Sequence, residues 1–194
     1  MRIAVRRDIR DDPRMTRPAN TRKPSSKARR KKRRATLTLA SNGLGPTIIG
    51  AQTDGVEAQA LTLAQARGLA YAGFVPSRTR NPGDSFLATP TTHPSQALKW
   101  NARFADASVL ITPSGPLFGR ALLARLWCER YRKPWLHLHP GNLDSAAVRQ
   151  WLKTRPIKSL HIAGARAHQA DGLESVLDLL FACLDPASTR LAPR

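Results

Sequence analysis

The chain has 194 residues, of which 41% are hydrophobic, so it is long enough to bury one substantial core. Its formal net charge is +19, but residues 1–36 carry 15 basic and three acidic side chains, against 17 and 10 in the remaining residues. Most of the positive charge therefore belongs to a tail, which weakens the net charge as evidence that the rest of the chain binds nucleic acid.

Residues 1–42 are predicted to form a basic, disordered tail. The first 36 residues are rich in Arg, Lys, Pro and Asp and almost lack apolar periodicity, so they cannot bury enough surface to offset the entropy of ordering. Such a tail suits non-specific, salt-sensitive binding of nucleic acid or another polyanion through residues 1–36; the alternative is a merely solvated segment. Met15 lies within the tail and offers a second translation start.

The cellular setting is predicted from what the sequence lacks. The first arginines are not followed by the apolar core of a signal peptide, and no apolar run approaches the roughly 18 residues that span a bilayer. Cys128 and Cys183 lie in apolar helical patterns that are typical of buried free thiols in a reducing compartment. We therefore expect a cytoplasmic protein with no membrane contact.

Strands and helices alternate over residues 43–187, and residues 188–194 are predicted to be a flexible C-terminus. Short apolar runs predict strands at residues 46–50, 71–75, 108–112, 135–138 and 159–163. Helical periodicity and capping residues predict helices at residues 55–67, 94–105, 117–132, 144–154 and 172–184. The polar, proline-rich residues 77–94 are predicted to be a long loop. The alternation indicates a single α/β domain, a Rossmann-like, three-layer, doubly wound sheet that is mainly parallel.

The first candidate site is the turn between the first strand of this domain and its helix. Small residues there let a ligand approach the backbone closely, and the amides that open a helix favour phosphate oxygens. Its candidate ligand-binding residues are Gly50, Ala51, Gln52, Thr53, Gly55 and Glu57. Turns of this kind need glycine for purely structural reasons about as often, so this pattern alone does not decide the function.

The second candidate site is the turn that follows the strand at residues 108–112 and opens the next helix. Its candidate ligand-binding residues are Ser114, Gly115, Pro116, Leu117, Gly119 and Arg120. The Arg120 guanidinium is suited to a phosphate; the alternative is an exposed first-turn residue. Ligands of such sheets bind beyond the carboxyl ends of the strands, so two turns on neighbouring strands are expected to converge on one cleft. That cleft is predicted to hold a phosphate-bearing, nucleotide-like ligand.

Other polar residues carry weaker signals. His137 and His139 alternate along a predicted strand and share a face, but no third ligand is identifiable, so no metal site is predicted. Ser114 has no recognisable base partner, so no catalytic nucleophile is predicted. A pair between Asp106 and Arg103 would contribute to stability only.

Five short segments, which keep their order over nearly the whole domain, resemble the molybdenum-cofactor carrier family. That family has a GGQTGVDRA-like turn, a WNVRDSD-like segment, a GPLTGGT-like turn, a CLHLD-like strand and a NVAGPRE-like strand end. The matching segments of this chain are residues 50–60, 100–106, 115–119, 135–138 and 162–166. The resemblance, which extends to the lysine-decarboxylase-like phosphoribohydrolases, implies a Rossmann-like fold and a cleft lined by both turns. It also implies a pterin-linked phosphate or nucleotide as ligand, commonly within a homo-oligomer.

Several positions depart from the pattern of that family. Asp54 is an apparent insertion, and Glu57 and Ala58 replace an Asp and an Arg. Arg120 and Ala121 replace a Gly-Thr pair. The phosphoribohydrolases rely on a Pro-Gly-Gly turn followed by Thr and Glu, which residues 119–121 do not supply.

The leading hypothesis from the sequence is a non-catalytic carrier or sensor that holds molybdenum cofactor or a nucleotide by its phosphate. Two alternatives stay open. One is a nucleotide N-glycosidase of the related group, and the other is polyanion binding through the tail.

Overall fold

The computed structural model describes residues 2–4, 38–40 and 45–185. Within the predicted tail, strands β1 (Arg2–Ala4) and β2 (Thr38–Ala40) pair antiparallel as a ribbon separate from the main sheet. The rest of the predicted tail and the predicted flexible C-terminus lie outside the described residues. Among the described residues, no helix has the length and apolar character that crossing a membrane requires.

Residues 45–185 form a three-layer α/β domain, as predicted. Its strands are β3 (Thr47–Ile49), β4 (Tyr71–Val75), β5 (Phe86–Ala88), β6 (Ala107–Ile111), β7 (Trp135–Leu138) and β8 (Ser159–Gly164). Its helices are α1 (Val56–Ala66), α2 (Pro94–Phe104), α3 (Gly119–Arg130), α4 (Ser145–Lys153) and α5 (Glu174–Leu184). The strands are all parallel and lie in the order β5-β4-β3-β8-β6-β7.

The helices cover both faces of this sheet. Helices α1, α4 and α5 pack on one face, and α2 and α3 pack on the other. The larger apolar cluster lies on the α1 face, and on the α2 face Phe74 packs edge-on against Trp100 with ring centroids 5.0 Å apart. Cys128 and Cys183 are buried and free, as predicted. Removal of this apolar surface from water holds the three layers together.

Two expectations from the sequence are wrong. The predicted loop at residues 77–94 contains β5, which pairs with β4 at the edge of the sheet. A strand of three residues among prolines and polar residues is too short to show a period of two.

The second wrong expectation is that the two candidate turns follow neighbouring strands. They follow β3 and β6, and β8 lies between these strands and pairs with both. Local patterns do not encode the order of strands, since pairing is decided by packing over the whole domain.

Asn101 of α2 is completely buried. Beyond the end of β3, its side chain makes the hydrogen bonds to β4 that a neighbouring strand would otherwise make. The amide of Gly50 still bonds to Ala72 of β4, but Phe74, two residues further along β4, is bonded by Asn101 instead. Asn101 Oδ1 accepts from the Phe74 N–H at 2.7 Å, and Nδ2 donates to the Phe74 carbonyl at 3.1 Å. The chain can therefore leave β3 for its turn without orphaning the backbone of β4.

Asp106 is the last residue of the family-like segment 100–106, which also contains Asn101. Its side chain fixes the start of β8. Its carboxylate accepts hydrogen bonds from the amides of Lys158 and Ser159 and from the Ser159 hydroxyl, at 2.9 to 3.1 Å. The central strand is thereby anchored to the connection between α2 and β6.

Removing the Asn101 carboxamide tests this account. In Asn101→Ala the Phe74 N–H and carbonyl stay buried without partners, so we expect the free energy of unfolding to fall by about 2 to 4 kcal/mol. Urea denaturation measures the change. The control Gln65→Ala, at an exposed position near the end of α1, should stay within about 0.5 kcal/mol of the wild type. Equal stability of Asn101→Ala and wild type would contradict the role assigned to this side chain.

Candidate functional site

The first turns of α1 and α3 meet at the carboxyl edge of the sheet. Helix α1 follows β3 and helix α3 follows β6, on opposite faces of the sheet. Glu57 and Arg120, the second residues of these helices, form a bidentate ion pair. Arg120 Nε lies 2.9 Å from Glu57 Oε1, and Nη2 lies 2.8 Å from Oε2. This pair joins the two turns that the sequence singled out, across the end of β8.

The Glu57 carboxylate also holds the first turn in place. Its side chain is 1% exposed, and Oε2 accepts hydrogen bonds from the Ala51 N–H at 3.1 Å and the Thr53 hydroxyl at 3.4 Å. Burial raises the pKa of Glu57, while the Arg120 charge and these hydrogen bonds act in the opposite direction. Both carboxylate oxygens are occupied, so Glu57 is committed to contacts within the protein.

Gly55 is required by packing. Its φ of 62° and ψ of −139° belong to a region that is essentially restricted to glycine. A Cβ at this position would overlap the backbone of Ala165 and Arg166, where the chain leaves β8. The adjacent amide of Val56 donates to the Ala165 carbonyl at 3.1 Å. The close approach of α1 to the end of β8 therefore explains this glycine without a ligand.

The other candidate residues of the first turn differ in exposure. Gly50 and Ala51 are buried, Thr53 is half-buried and Gln52 is exposed. Of the candidates in this turn, Gln52 is thus the one whose side chain faces solvent.

The second turn is divided between solvent and core. Ser114, Gly115 and Pro116 are exposed, whereas Leu117 packs against the apolar cluster beneath α3. Gly119 has a φ of 52°, which a residue with a side chain would adopt only with strain, and there is open space where its Cβ would stand.

In the described part of the chain, no side chain caps the N-terminus of either α1 or α3. Apart from the Val56 amide, which donates to Ala165, the first-turn amides of these two helices therefore have no side-chain partner at this edge of the sheet.

Two histidines flank the second turn. Thr112 Oγ1 donates to the Ser114 carbonyl at 2.6 Å and lies 2.6 Å from His137 Nε2. Since the hydroxyl hydrogen is already used, His137 Nε2 carries the hydrogen and donates to Thr112. Burial lowers the pKa of His137, and the charge of His139 contributes a smaller effect in the same direction. The centroids of the two rings lie 5.3 Å apart. The sequence placed these rings on one face but could not reveal the Thr112 contact, which depends on the β6–β7 register.

Metal ligands are not clustered at this edge. No group of three or more His, Cys, Asp or Glu side chains that could hold a metal ion occurs among the residues the structure describes.

His161 of β8 is a buried polar residue that the sequence analysis missed. Its side chain is fully buried, and Nδ1 lies 3.1 Å from the Ser108 hydroxyl on the neighbouring strand. Nε2 has no hydrogen-bond partner within the described residues. Burial, with a smaller effect of the Arg120 charge, lowers the pKa of His161 to about 3. The signal in the sequence that could have identified His161 is its position as a single histidine within the apolar run of a predicted strand.

The ion pair can be tested by a double-mutant cycle. Arg120→Met leaves the Glu57 carboxylate buried without its countercharge, so we expect a loss of about 3 to 5 kcal/mol in the free energy of unfolding. The double variant with Glu57→Gln should recover part of that loss, because no charge then stays buried alone. Urea denaturation of the four proteins gives the coupling energy. Additive effects of the two substitutions would show that the pair is not an energetic unit.

His161 predicts a pH dependence of stability. Below its ordinary pKa of 6.5 the unfolded chain binds a proton at this residue that the folded chain does not bind. Stability should therefore fall as the pH is lowered from about 6.5 toward 3, and His161→Gln should reduce that slope by up to about 1.4 kcal/mol per pH unit. Urea unfolding between pH 7 and pH 4 measures both slopes, with His168→Gln as a control for loss of an exposed imidazole. Identical slopes in wild type and His161→Gln would contradict a neutral, buried His161.

Comparison with known proteins identifies the family of this domain. Residues 47–184 match the sequence model of the circularly permutated YpsA SLOG family. The crystal structure of a "Putative molybdenum carrier protein" from Syntrophus aciditrophicus SB is similar, with a TM-score of 0.62 and 26% sequence identity. The match covers 73% of this chain and 96% of that chain. A comparison with curated proteins finds no match. With most of its length matched, the chain belongs to the circularly permutated YpsA SLOG family.

Proposed function

We propose that this protein is a non-catalytic carrier or sensor that holds a phosphate-bearing ligand between the N-termini of α1 and α3. The observation that carries the proposal is the Arg120–Glu57 pair, which joins two helix N-termini that lack side-chain caps. Helix dipoles and first-turn amides without a side-chain cap favour an anion at this edge of the sheet. The ligand class that fits is one with a terminal phosphate group.

Glu57 orients Arg120 and leaves part of its guanidinium available. The two bonds to Glu57 use the Nε hydrogen and one Nη2 hydrogen, and an arginine has five N–H groups in all. The Arg120 side chain is 10% exposed, so it is not completely sealed from solvent. An arginine that is already held in one geometry loses little conformational freedom when a phosphate binds it.

The type of ligand is proposed from the comparisons. The similar crystal structure is that of a protein named as a molybdenum carrier, which supports molybdenum cofactor as the cargo of this chain. A nucleotide is the other candidate, since both ligands present a phosphate to the same amides. The homo-oligomeric state that the sequence resemblance implies is part of the proposal.

The arrangement supports binding better than hydrolysis. Ala121 offers no hydroxyl where the family-like turn has a threonine, and the preceding Arg120 is bonded to Glu57. Ser114 is exposed, and its carbonyl accepts a hydrogen bond from the Thr112 hydroxyl. We therefore assign no covalent step to this edge, and the N-glycosidase stays an alternative that the binding experiment also examines.

Adding one negative charge at the mouth of the site tests the proposal. Gln52→Glu changes an exposed residue of the first turn, so the fold should be retained while an incoming phosphate is repelled. We expect a phosphate-bearing ligand to raise the melting temperature of the wild type, and Gln52→Glu to weaken its affinity by about tenfold. The panel is molybdenum cofactor and nucleoside monophosphates, measured by thermal shift and calorimetry. Gln65→Glu, the same change near the far end of α1, should bind as wild type.

Three results would overturn the proposal. The first is the absence of any thermal shift across the panel. The second is binding that ignores Gln52→Glu but disappears on deletion of residues 1–36, which would assign it to the basic tail. The third is release of free base from a nucleoside monophosphate, which would identify the N-glycosidase.

A further inference from the structure

The net positive charge of residues 45–185 is concentrated on one face of the sheet. Residues 94–135, which run from α2 through β6 and α3 to the first residue of β7, contain seven basic and two acidic residues. Residues 45–93 contain three of each kind, and residues 136–185 contain five of each. One of the seven, Arg120, is paired with Glu57, and the other six still outnumber the acidic residues. Because α2 and α3 pack on the same face, the excess of positive charge belongs to that face.

The outer side of α3 also carries an apolar stripe. Phe118 is 39% exposed, Leu122 38% and Leu126 51%, and these are the exposed large hydrophobic residues of the described chain. Their spacing of four residues places them in one line along the helix, and the exposed Arg130 continues that line. We call Phe118, Leu122 and Leu126 the α3 stripe. The exposed apolar side chains and the excess of positive charge therefore coincide on one surface.

We propose that the α3 stripe and the basic residues around it form a contact with a membrane surface rich in anionic lipid. Helix α3 lies in the plane of that surface, with the stripe at the boundary between headgroups and acyl chains and the basic side chains at the lipid phosphates. An apolar face bordered by basic residues is typical of helices that bind in this way. The expectation of no membrane contact considered spanning segments, and a surface contact needs none.

The acidic residue beside the stripe does not cancel the basic residues there. Glu129 Oε1 accepts a hydrogen bond from Arg125 Nε at 2.7 Å, so the Glu129 charge is balanced within the helix. The Arg125 guanidinium lies 5.1 Å from the centre of the Trp135 ring, which holds this ion pair on the β7 side of α3. Arg130 and Arg132 are exposed at the end of the helix, so the charge around the stripe stays positive.

The two features of this surface act together. Three partly exposed side chains bury too little apolar surface for stable binding to a membrane, and a basic patch alone gives binding that salt reverses. Stable peripheral binding takes two such signals, and this surface has both. Each basic residue close to an anionic membrane strengthens binding about fivefold, an effect that falls off within a Debye length. The residues that matter are therefore those next to the stripe.

Other partners fit only one of the two features. A nucleic acid would neutralise the basic residues, but its phosphates would lie against the apolar stripe. A second copy of the chain would cover the stripe, but it would bring the same basic residues against one another, and like charges oppose such a contact. An anionic membrane offers negative headgroups and an apolar interior at the depths where this surface has its basic and apolar side chains.

A fluorescent reporter on the stripe tests the contact in the full chain. Leu126→Cys, labelled with the environment-sensitive dye NBD, should emit at shorter wavelength when the protein binds vesicles of equimolar phosphatidylglycerol and phosphatidylcholine. Gln65→Cys, at an exposed position of α1 on the opposite face of the sheet, should show no such shift. Cys128 and Cys183 are buried and free, so the dye should react at the introduced cysteine.

Substitutions test the apolar and the charged feature separately. Leu126→Gln should weaken binding to these vesicles about tenfold, because an apolar side chain no longer enters the lipid. Arg130→Gln should weaken it about fivefold. The control Lys153→Gln removes the same charge from an exposed position of α4, on the other face, and should change the affinity less than about twofold. Vesicle co-sedimentation measures the affinities, and circular dichroism checks that each variant is folded.

One further measurement separates this surface from the proposed ligand site, on which the inference does not rest. A lipid headgroup and a free phosphate share the same chemistry, so vesicle binding is repeated with inorganic phosphate at matched ionic strength. The affinity for vesicles should stay the same, because the stripe is bound by lipid and not by phosphate. Displacement by inorganic phosphate would overturn the inference and assign the headgroup to the site between α1 and α3.

The remaining outcomes also decide the inference. An NBD emission at position 126 that stays at its aqueous value on vesicle-bound protein would overturn it, because the basic tail would then be the element that holds the vesicle. Equal effects of Arg130→Gln and Lys153→Gln would overturn it, since only total charge would matter. Vesicle binding that Leu126→Gln leaves unchanged, with loss of a dimer or of oligonucleotide binding in that variant, would assign the surface to a second copy or to nucleic acid.

Discussion

The buried ion pair between Arg120 and Glu57 is the contact on which the carboxyl edge of this sheet depends. Helices α1 and α3 begin on opposite faces of the sheet, and a strand separates the turns that lead into them. The bidentate geometry, at 2.8 and 2.9 Å, holds the two helix starts in one orientation. A lone charge would be costly in this buried position, whereas two opposite charges with matched hydrogen bonds are tolerated. The pair lies beside two helix N-termini that carry no side-chain cap.

The pair explains two departures from the family-like pattern together. Glu57 stands where that pattern has an aspartate, and Arg120 stands where it has a glycine. Along the sequence, the aspartate-to-glutamate change is conservative by itself, whereas the glycine-to-arginine change is a large one. In the folded chain the two residues are partners, since the longer carboxylate and the long arginine meet across the end of β8. This chain therefore has a side-chain bridge at a place where a glycine would leave only backbone.

The end of β8 also shapes this edge. The Ala165 amide donates to the Ile111 carbonyl at 3.0 Å, and the Ala165 carbonyl accepts from Val56 at 3.1 Å. A Cβ on Gly164 would overlap the Ile111 carbonyl, so the last strand lies tightly against β6. The last strand of the sequence, β8, thus lies between the two candidate turns, and two glycines of the family-like segments, Gly55 and Gly164, serve this packing.

The sequence by itself determined the helices of this domain, its strands other than β5 and the class of its fold, because apolar period, caps and turn glycines are local properties. The predicted strand at residues 71–75 matches β4, and Asp144 caps α4 by accepting from the amides of Ala146 and Ala147. The sequence also singled out the two turns that the Arg120–Glu57 pair joins. Only the tertiary structure decided the place of β8, the short edge strand β5, and the partners of Asn101, Glu57 and His161. Each of these depends on residues far apart in the chain, and nothing in a local pattern records which distant side chain will fill a given space.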